Sequence, residues 1–446
     1  MKPGLKVGVM VFDADDDEQV VERVASIDVA KGSGMVCTRV PHATIRGRRV
    51  TRVWEVPATT NAVMVLADEL TDLGIERVVV ESTSDYWRVF VYLFQARGLT
   101  TWLVNARDVK QVPGRPKTDK IDAIWLAKLN ERGMLRASFV PPVEIRQLRD
   151  YTRLRSDLTE ERSRHKQRME KLLEDALIKI STVATDIFGV SGRAMIDALI
   201  AGERNPHVLA NMAKGRMRPK NKALIEALTG RFDDHHGELA QLLLRQVDVL
   251  TTDIDTLTRS IEKLIASIPG GTPLDTLDPD GPGLLSPVAR LDEIAGIGPH
   301  TAQVIIAEIG LDMTQFPTPA HLVSWAKLAP RTIQSGTKTR TGTTGKGNRY
   351  LKGVLGEAAI SAARTDTFLG ERYRRLVRRR GKPKALVAVE RSILVICWHL
   401  LNDPTTRYND LGSDYHEQHN NKDRKTRTLV RQLQTLGHHV TLTPAN

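Results

Sequence analysis

The spacing of apolar and polar positions changes character along this chain, and each change marks an element or a boundary. Three short runs, VERVASIDVAK, MVCTRV and RRVTRVWEV, are rich in β-branched residues and separated by glycine and polar turns, which predicts three strands. TNAVMVLADELTDLGI has helical spacing and closes on Gly74. RVVVEST then reads as a buried strand, DYWRVFVYLFQARG as a helix and TTWLVNA as another strand. KTDKIDAIWLAKLNERG follows as a helix, with Thr118 as its N-cap. Three strands followed by alternating helix and strand predict a mixed α/β sheet over residues 22–140.

Beyond residue 141 the strand pattern stops. EIRQLRDYTRLRSDLTEERSRHKQRMEKLLEDALIKI is long, charged and helical in period. Leu243, Val247, Leu250, Ile254, Leu257, Ile261, Leu264 and Ile268 recur at four-three spacing. That seam predicts a coiled coil within 141–268, paired with the preceding helix or with another subunit. Residues 269–288 are rich in Pro, Gly and Asp and read as a linker. Residues 289–402 read as a mainly helical domain broken by a Gly/Thr-rich loop, and 403–446 as a polar tail. The first 21 residues, with Asp13, Asp15, Asp16, Asp17 and Glu18, read as a flexible acidic lead-in. The expected fold class is therefore α/β plus all-α.

Charge narrows the range of partners. The 446 residues carry a net charge of +12 and an isoelectric point near 9.7, which suits a polyanion such as nucleic acid. Cys37 and Cys397 lie far apart in apolar surroundings and read as buried hydrophobes, with neither a disulfide nor a metal site between them. No run of 18 apolar residues and no signal peptide is evident, so a cytoplasmic protein without a membrane span is expected.

Candidate chemistry falls at both ends. Asp28 and Glu81 stand at or near strand ends, where open α/β sheets place their sites. Asp119 and Asp122, three apart on a helix, share a face. Each has an ordinary alternative: a helix-dipole contact, a solvated helix position, a cap. Taken as an ordered set, four carboxylates can hold a hard cation, Mg²⁺ or Mn²⁺. Toward the C-terminus, AGIGPHTAQVIIAEIG resembles one helix-hairpin-helix, whose turn (Gly296, Gly298) and helix start can hold a DNA phosphate. The loop after LAPRTIQ carries Gly336, Gly342, Gly345 and Gly347, with Lys338, Arg340, Lys346, Arg349 and Lys352 for phosphate contacts. Ser335 and five threonines offer hydroxyl nucleophiles there, and the residues alone do not choose among them. ERYRRLVRRRGKPK adds Arg372, Arg374, Arg375, Arg378, Arg379 and Arg380. Arg153, Arg155, Arg162, Arg164, Lys166 and Arg168 form a second basic stripe, and GRMRPKNK a third.

IDVAK, VVVESTSDYW and KTDKIDAIWLAKL, together with LAPRTIQSGTKTRTGTTGKGNRYLK, resemble the DEDD family of insertion-sequence transposases, to which the pilin-gene invertases are related. The resemblance covers about residues 22–140 and 289–400. It implies a RuvC-like, RNase-H-type domain with Asp28, Glu81, Asp119 and Asp122 as metal ligands, and it selects Ser335 as the catalytic serine. It further implies double-stranded DNA as substrate (element ends and target), a structured noncoding guide RNA, a homo-oligomer (dimer or tetramer) and a nucleoid-associated location in the bacterial cytoplasm. A hydrolytic nuclease such as a junction resolvase, using the carboxylates alone, is the first alternative. A non-enzymatic nucleic-acid-binding protein is the second.

Overall fold

The computed structural model describes residues 21–45, 47–81, 85–105, 118–271, 285–330, 332–415 and 422–442. The acidic cluster of the lead-in and residues 272–284 of the expected linker lie outside them. The chain divides into two compact units, Met1–Val140 and Pro141–Asn446.

The first unit is built on a five-stranded mixed sheet. β1 (Val24–Val29), β2 (Ser33–Pro41) and β3 (Arg49–Pro57) form an antiparallel meander. β4 (Arg77–Glu81) and β5 (Thr101–Val104) continue the sheet in parallel on the other side of β1, giving the order β3-β2-β1-β4-β5. Helices α1 (Thr60–Asp72) and α2 (Arg88–Ala96) supply the crossovers. Strand parity sorts the side chains between the two faces. Ala25, Ile27, Val29, Val78 and Val80 join Leu66, Leu70, Phe90 and Phe94 of the crossover helices in one core. Each of these side chains larger than alanine contributes roughly 1.5–3 kcal/mol relative to an exposed one. On the opposite face, Val79, Cys37 and Trp102 meet α3 (Asp119–Glu131) through Ala123, Leu126 and Ala127. Covering both faces explains why the central strands read as nearly continuous apolar runs. This architecture is consistent with an RNase-H-like α/β domain.

Among the described residues, the second unit is helical apart from one hairpin. α4 (Val143–Asp175) runs antiparallel to α8 (Asp234–Ser267). The direction is fixed by Arg155 Nη1 donating to Thr258 Oγ1 (3.4 Å), Arg162 Nη1 to Thr251 Oγ1 (3.3 Å), and His236 Nε2 meeting Asp175 Oδ2 (3.2 Å). The four-three seam of α8 faces α4, with Val247, Leu250, Ile254 and Ile261 buried. Three short helices between them, α5 (Val190–Ile200), α6 (Pro206–Asn211) and α7 (Asn221–Ala227), pack a compact core with Met169, Leu173, Ala240 and Leu244.

The rest comprises α9 (Pro287–Asp292), α10 (Pro299–Ile309), α11 (Pro319–Trp325), strands β6 (Thr332–Ser335) and β7 (Lys338–Thr341), α12 (Arg349–Ala362), α13 (Phe368–Arg380), α14 (Lys382–Asn402) and α15 (Lys422–Thr435). The Gly/Thr-rich segment expected as a loop thus begins as a two-stranded hairpin. Gly336 at φ +58° takes the first place of its two-residue turn, where a positive φ is needed. The polar tail is held to the unit at its start and is helical further on. Arg407 pairs with Glu293, Asp410 accepts from the Phe368 N–H (3.1 Å), and residues 422–435 form α15. Helix α14 has the length and hydropathy of a membrane span, yet Val389, Ile393, Leu394, Cys397 and Leu400 are buried in the core of this unit. Both cysteines are free and buried, and burial raises Cys37 to about 11 and Cys397 to about 12.

Candidate active site

The carboxylates of the first unit are organised by the register of the sheet. Asp28 on β1 pairs with Glu81 on β4 in the parallel ladder and with Met35 on β2, which pairs with Glu55 on β3. Cross-strand partners share a face. Glu55, Met35, Asp28 and Glu81 therefore form one row across the sheet, on the face that α3 covers. Two hydrogen bonds fix the direction of α3 over that face. Asn130 Nδ2, near its C-terminus, donates to the Ala25 carbonyl (3.1 Å), and Ser26 Oγ donates to the Ala123 carbonyl (2.7 Å). The helix consequently runs against β1, and its first turn overlies the C-terminal ends of β1 and β4.

Asp119 sits in that first turn. Asp119, Ala123, Leu126 and Asn130 follow four-three-four spacing, and the last three are buried against the sheet. Asp122 leads a second row through Leu126 and Leu129. Both aspartates thus stand on or beside the inward face of α3. Thr118 caps the helix, its Oγ1 accepting from Ile121 N–H (3.3 Å). The opposite end is held by Glu131, which receives Arg39 Nε (2.7 Å) and Arg49 Nε (3.0 Å). Burial opposes ionisation of Glu131, but these two guanidiniums outweigh it and keep its carboxyl below the ordinary value.

A cavity of about 160 Å³ opens at this end of the sheet, lined by Asp28, Val29, Ala30, Ser33, Met35, Glu55 and Asp119. Glu81 flanks it in the row and is 7% exposed. Glu55 was not among the sequence candidates. Its carboxylate accepts from Ser33 Oγ (2.5 Å). Alternation along β3 puts Glu55 on the same face as Val53, but only the observed register reveals that this is the face of Asp28. Carboxylates from three strands and one helix make a hard, oxygen-rich donor set, which fits a divalent cation of the Mg²⁺ or Mn²⁺ type.

Another group, Asp175, His235 and His236, comes within reach of a single ion. Its hydrogen bonding gives it a structural role. His236 Nδ1 accepts the Asp233 N–H (3.1 Å) in a capping box at the start of α8, so Nε2 carries the proton and donates to Asp175. A metal at Nε2 would move that proton to Nδ1 and break the cap.

In the second unit, the backbone of Ser335 ends β6 and pairs with Lys338 across the turn. The Ser335 side chain lies outside the described residues. Lys338, Arg340 and Lys346 are exposed around it in sequence. Arg349 is engaged with Asp157 (2.7 Å), and Lys352 Nζ returns to the Gly345 carbonyl (3.1 Å). The segment after the hairpin is anchored firmly. Asn348 Oδ1 caps α12 by accepting from Tyr350 and Leu351 N–H groups, and its Nδ2 donates to Glu308. Glu308 is fully buried and also receives Arg153 through two contacts of 2.8 Å.

Gly296, at φ +93°, is packed against α12. A Cβ there would lie 2.3 Å from the Ala358 carbonyl oxygen, whereas around Gly298 there is open space. The basic stripe expected along α4 is largely consumed internally. Arg155 is 0% exposed and donates to Gln303 Oε1 (2.7 Å), with burial lowering its pKa to about 10. Arg153 serves Glu308, Arg164 lies 3.8 Å from Glu161, and Lys166 lies over the Phe188 ring. Among the arginines of α13, Arg374 is bound to Glu371 and Asp366, while Arg375, Arg378 and Arg379 are exposed.

Two family models match this chain. One, a transposase model of the DEDD IS110 type, covers residues 25–178. The other, described as the transposase IS116/IS110/IS902 family, covers residues 288–374. The insertion element IS110 uncharacterized 43.6 kDa protein of Streptomyces coelicolor is 38% identical over 124 residues, which is 27% of this chain and 30% of that relative. The match thus spans about a third of the relative's length. With both models falling in order along the chain, this protein belongs to the IS110 family of DEDD transposases.

Proposed function

We propose that this chain is the transposase of an insertion sequence, and that it cuts and rejoins DNA strands at element ends and target. The observation that carries the reading is the register of Asp28 with Glu81 beneath the first turn of α3, which bears Asp119 and Asp122. These four carboxylates would hold Mg²⁺ or Mn²⁺. When bound, such an ion neutralises charge on phosphoryl oxygens and polarises an attacking oxygen.

The nucleophile in this reading is Ser335. Its Oγ attacks phosphorus, an Oγ–P bond forms and the P–O3′ bond breaks. The serine proton ends on the departing 3′ oxygen. The phosphoserine ester conserves the energy of the broken linkage, so a 3′-hydroxyl can reverse the step on the same or another strand without ATP. Lys338, Arg340 and Lys346 are suited to balance phosphate charge around the hairpin. The guide RNA and the homo-oligomer belong to the same reading, and the excess of 65 Lys and Arg over 53 Asp and Glu supports a large polyanionic partner.

The test is to incubate the full chain with a duplex carrying its element end, together with the noncoding RNA of the same element, denature, and look for a covalent protein–DNA adduct. An adduct mapping to Ser335 by peptide mass spectrometry, absent in Ser335→Ala, is expected. Cleavage with free 5′-phosphate ends and undiminished rate in Ser335→Ala would favour the hydrolytic nuclease instead. No cleavage by any form, with retained nucleic-acid affinity, would favour the binding protein.

A further inference from the structure

The arginines of α13 fall into two kinds. Arg374 is neutralised: its Nε meets Glu371 (2.9 Å), and its Nη2 meets Asp366 (3.4 Å). Arg378, Arg379 and Arg380 stand at the helix C-terminus, where the macrodipole favours cations. Neither explanation serves Arg372. It lies mid-helix, and its Nε is sealed from solvent without a hydrogen-bond partner. Arg375, three residues on, shares its side of the helix.

The third member comes from another element. α13 and α14 are joined by Gly381 alone, at φ +79°, and pack on one another. Arg391 lies about as far beyond Gly381 as Arg372 lies before it, so the return of α14 brings the two together. Burial first, and then the positive charges of Arg375 and Arg391, hold Arg372 below the usual arginine range. Among the described residues no carboxylate pairs with Arg372, Arg375 or Arg391.

Three like charges gathered without a counter-ion work against the fold, and a buried guanidinium nitrogen without a partner adds to the penalty. A phosphodiester would relieve both, since guanidinium forks match its oxygens. Resting on the transposase reading above, we propose that Arg372, Arg375 and Arg391 form a preformed clamp for a phosphate of the bound DNA duplex. Arg391 is the member that the basic run of α13 does not contain. The clamp is a point of backbone grip, with no role in choosing sequence.

The experiment compares the full chain with Arg391→Gln and Arg375→Gln. Each is melted in low salt, and each is titrated with a labelled duplex across a salt series. Relief of repulsion is expected to leave the melting temperature of each variant at or above that of the parent. Duplex affinity is expected to fall about tenfold. The salt slope should become shallower by up to about 0.9, the contribution of one phosphate. A lower melting temperature with unchanged duplex affinity would overturn the clamp in favour of a structural role. Loss of affinity for a structured RNA with duplex affinity intact would also overturn it. If the parent chain binds and cleaves duplex DNA while both variants bind equally well, the clamp alone falls. If the parent does not bind duplex DNA even with the noncoding RNA of its element present, the transposase reading falls and takes the clamp with it.

Discussion

Replacing Glu308 probes the anchor beneath the serine hairpin. Glu308 is fully buried on α10, and its carboxylate takes both forks of Arg153 at 2.8 Å, the Asn348 amide and, at 3.4 Å, Arg149. Asn348 in turn caps α12, the helix that begins where the Gly-rich segment ends. Glu308→Leu leaves the Arg153 guanidinium and the Asn348 amide without their acceptor, while Arg149 keeps the Ala307 and Glu308 backbone carbonyls. Removing one partner of a buried ion pair costs about 3–5 kcal/mol. Because the Arg153 side chain is 32% exposed, the lower end, about 3 kcal/mol, applies. For a unit as large as Pro141–Asn446 that corresponds to a fall in melting temperature of roughly 5 °C. Calorimetry of the full chain reads it. Adding Arg153→Met should recover part of the loss, since removing both charges of a buried pair is often close to neutral. A fall of under about 2 °C for Glu308→Leu, or a double variant as unstable as the two single losses added together, would refute the idea that this pair anchors the segment.

Other expectations follow from the same geometry. Gly296→Ala should lower stability by about 2 kcal/mol or more, because its Cβ meets the Ala358 carbonyl and its backbone is left-handed; an unchanged melting temperature would show that the turn moves away freely. Glu131 is held ionised by Arg39 and Arg49 against burial, so its folded pKa lies below its unfolded one. Its stabilisation is complete above about pH 4.5 and is lost as pH falls through the depressed folded value. Glu131→Gln should therefore melt below the parent at neutral pH, with the gap closing in acid; a pH-independent gap would contradict this. Asp119→Asn should abolish strand cleavage while leaving circular dichroism and melting intact, since this side chain is exposed at a helix start. Retained cleavage would remove it from the site.

Much of the first unit was legible because its signals are local. Strand parity, the apolar run RVVVE and the Thr118 cap each act within a few residues, and the five strands and three helices stand where those signals predict. The four-three seam of α8 likewise declared itself. What sequence did not yield depends on long-range placement. Glu55 enters the carboxylate row only through the β2–β3 register. The α4 arginines read as a free stripe because nothing local reveals that Glu308, Gln303 and Thr251 lie opposite them. The hairpin at Ser335 carried a usable signal, a serine-glycine pair followed by alternating threonines, but the density of glycine around it favoured a loop reading. Arg391 had no signal near the basic run, because its neighbours come from a different helix.

The row of carboxylates is most directly tested by crystals of the full chain grown with Mn²⁺ and measured at an energy where manganese scatters anomalously. An anomalous peak is expected within about 2.0–2.6 Å of carboxylate oxygens from Asp28, Glu81, Asp119 and Asp122, and is expected to vanish in Asp28→Asn. Manganese bound elsewhere, or a peak that survives Asp28→Asn unchanged, would contradict this.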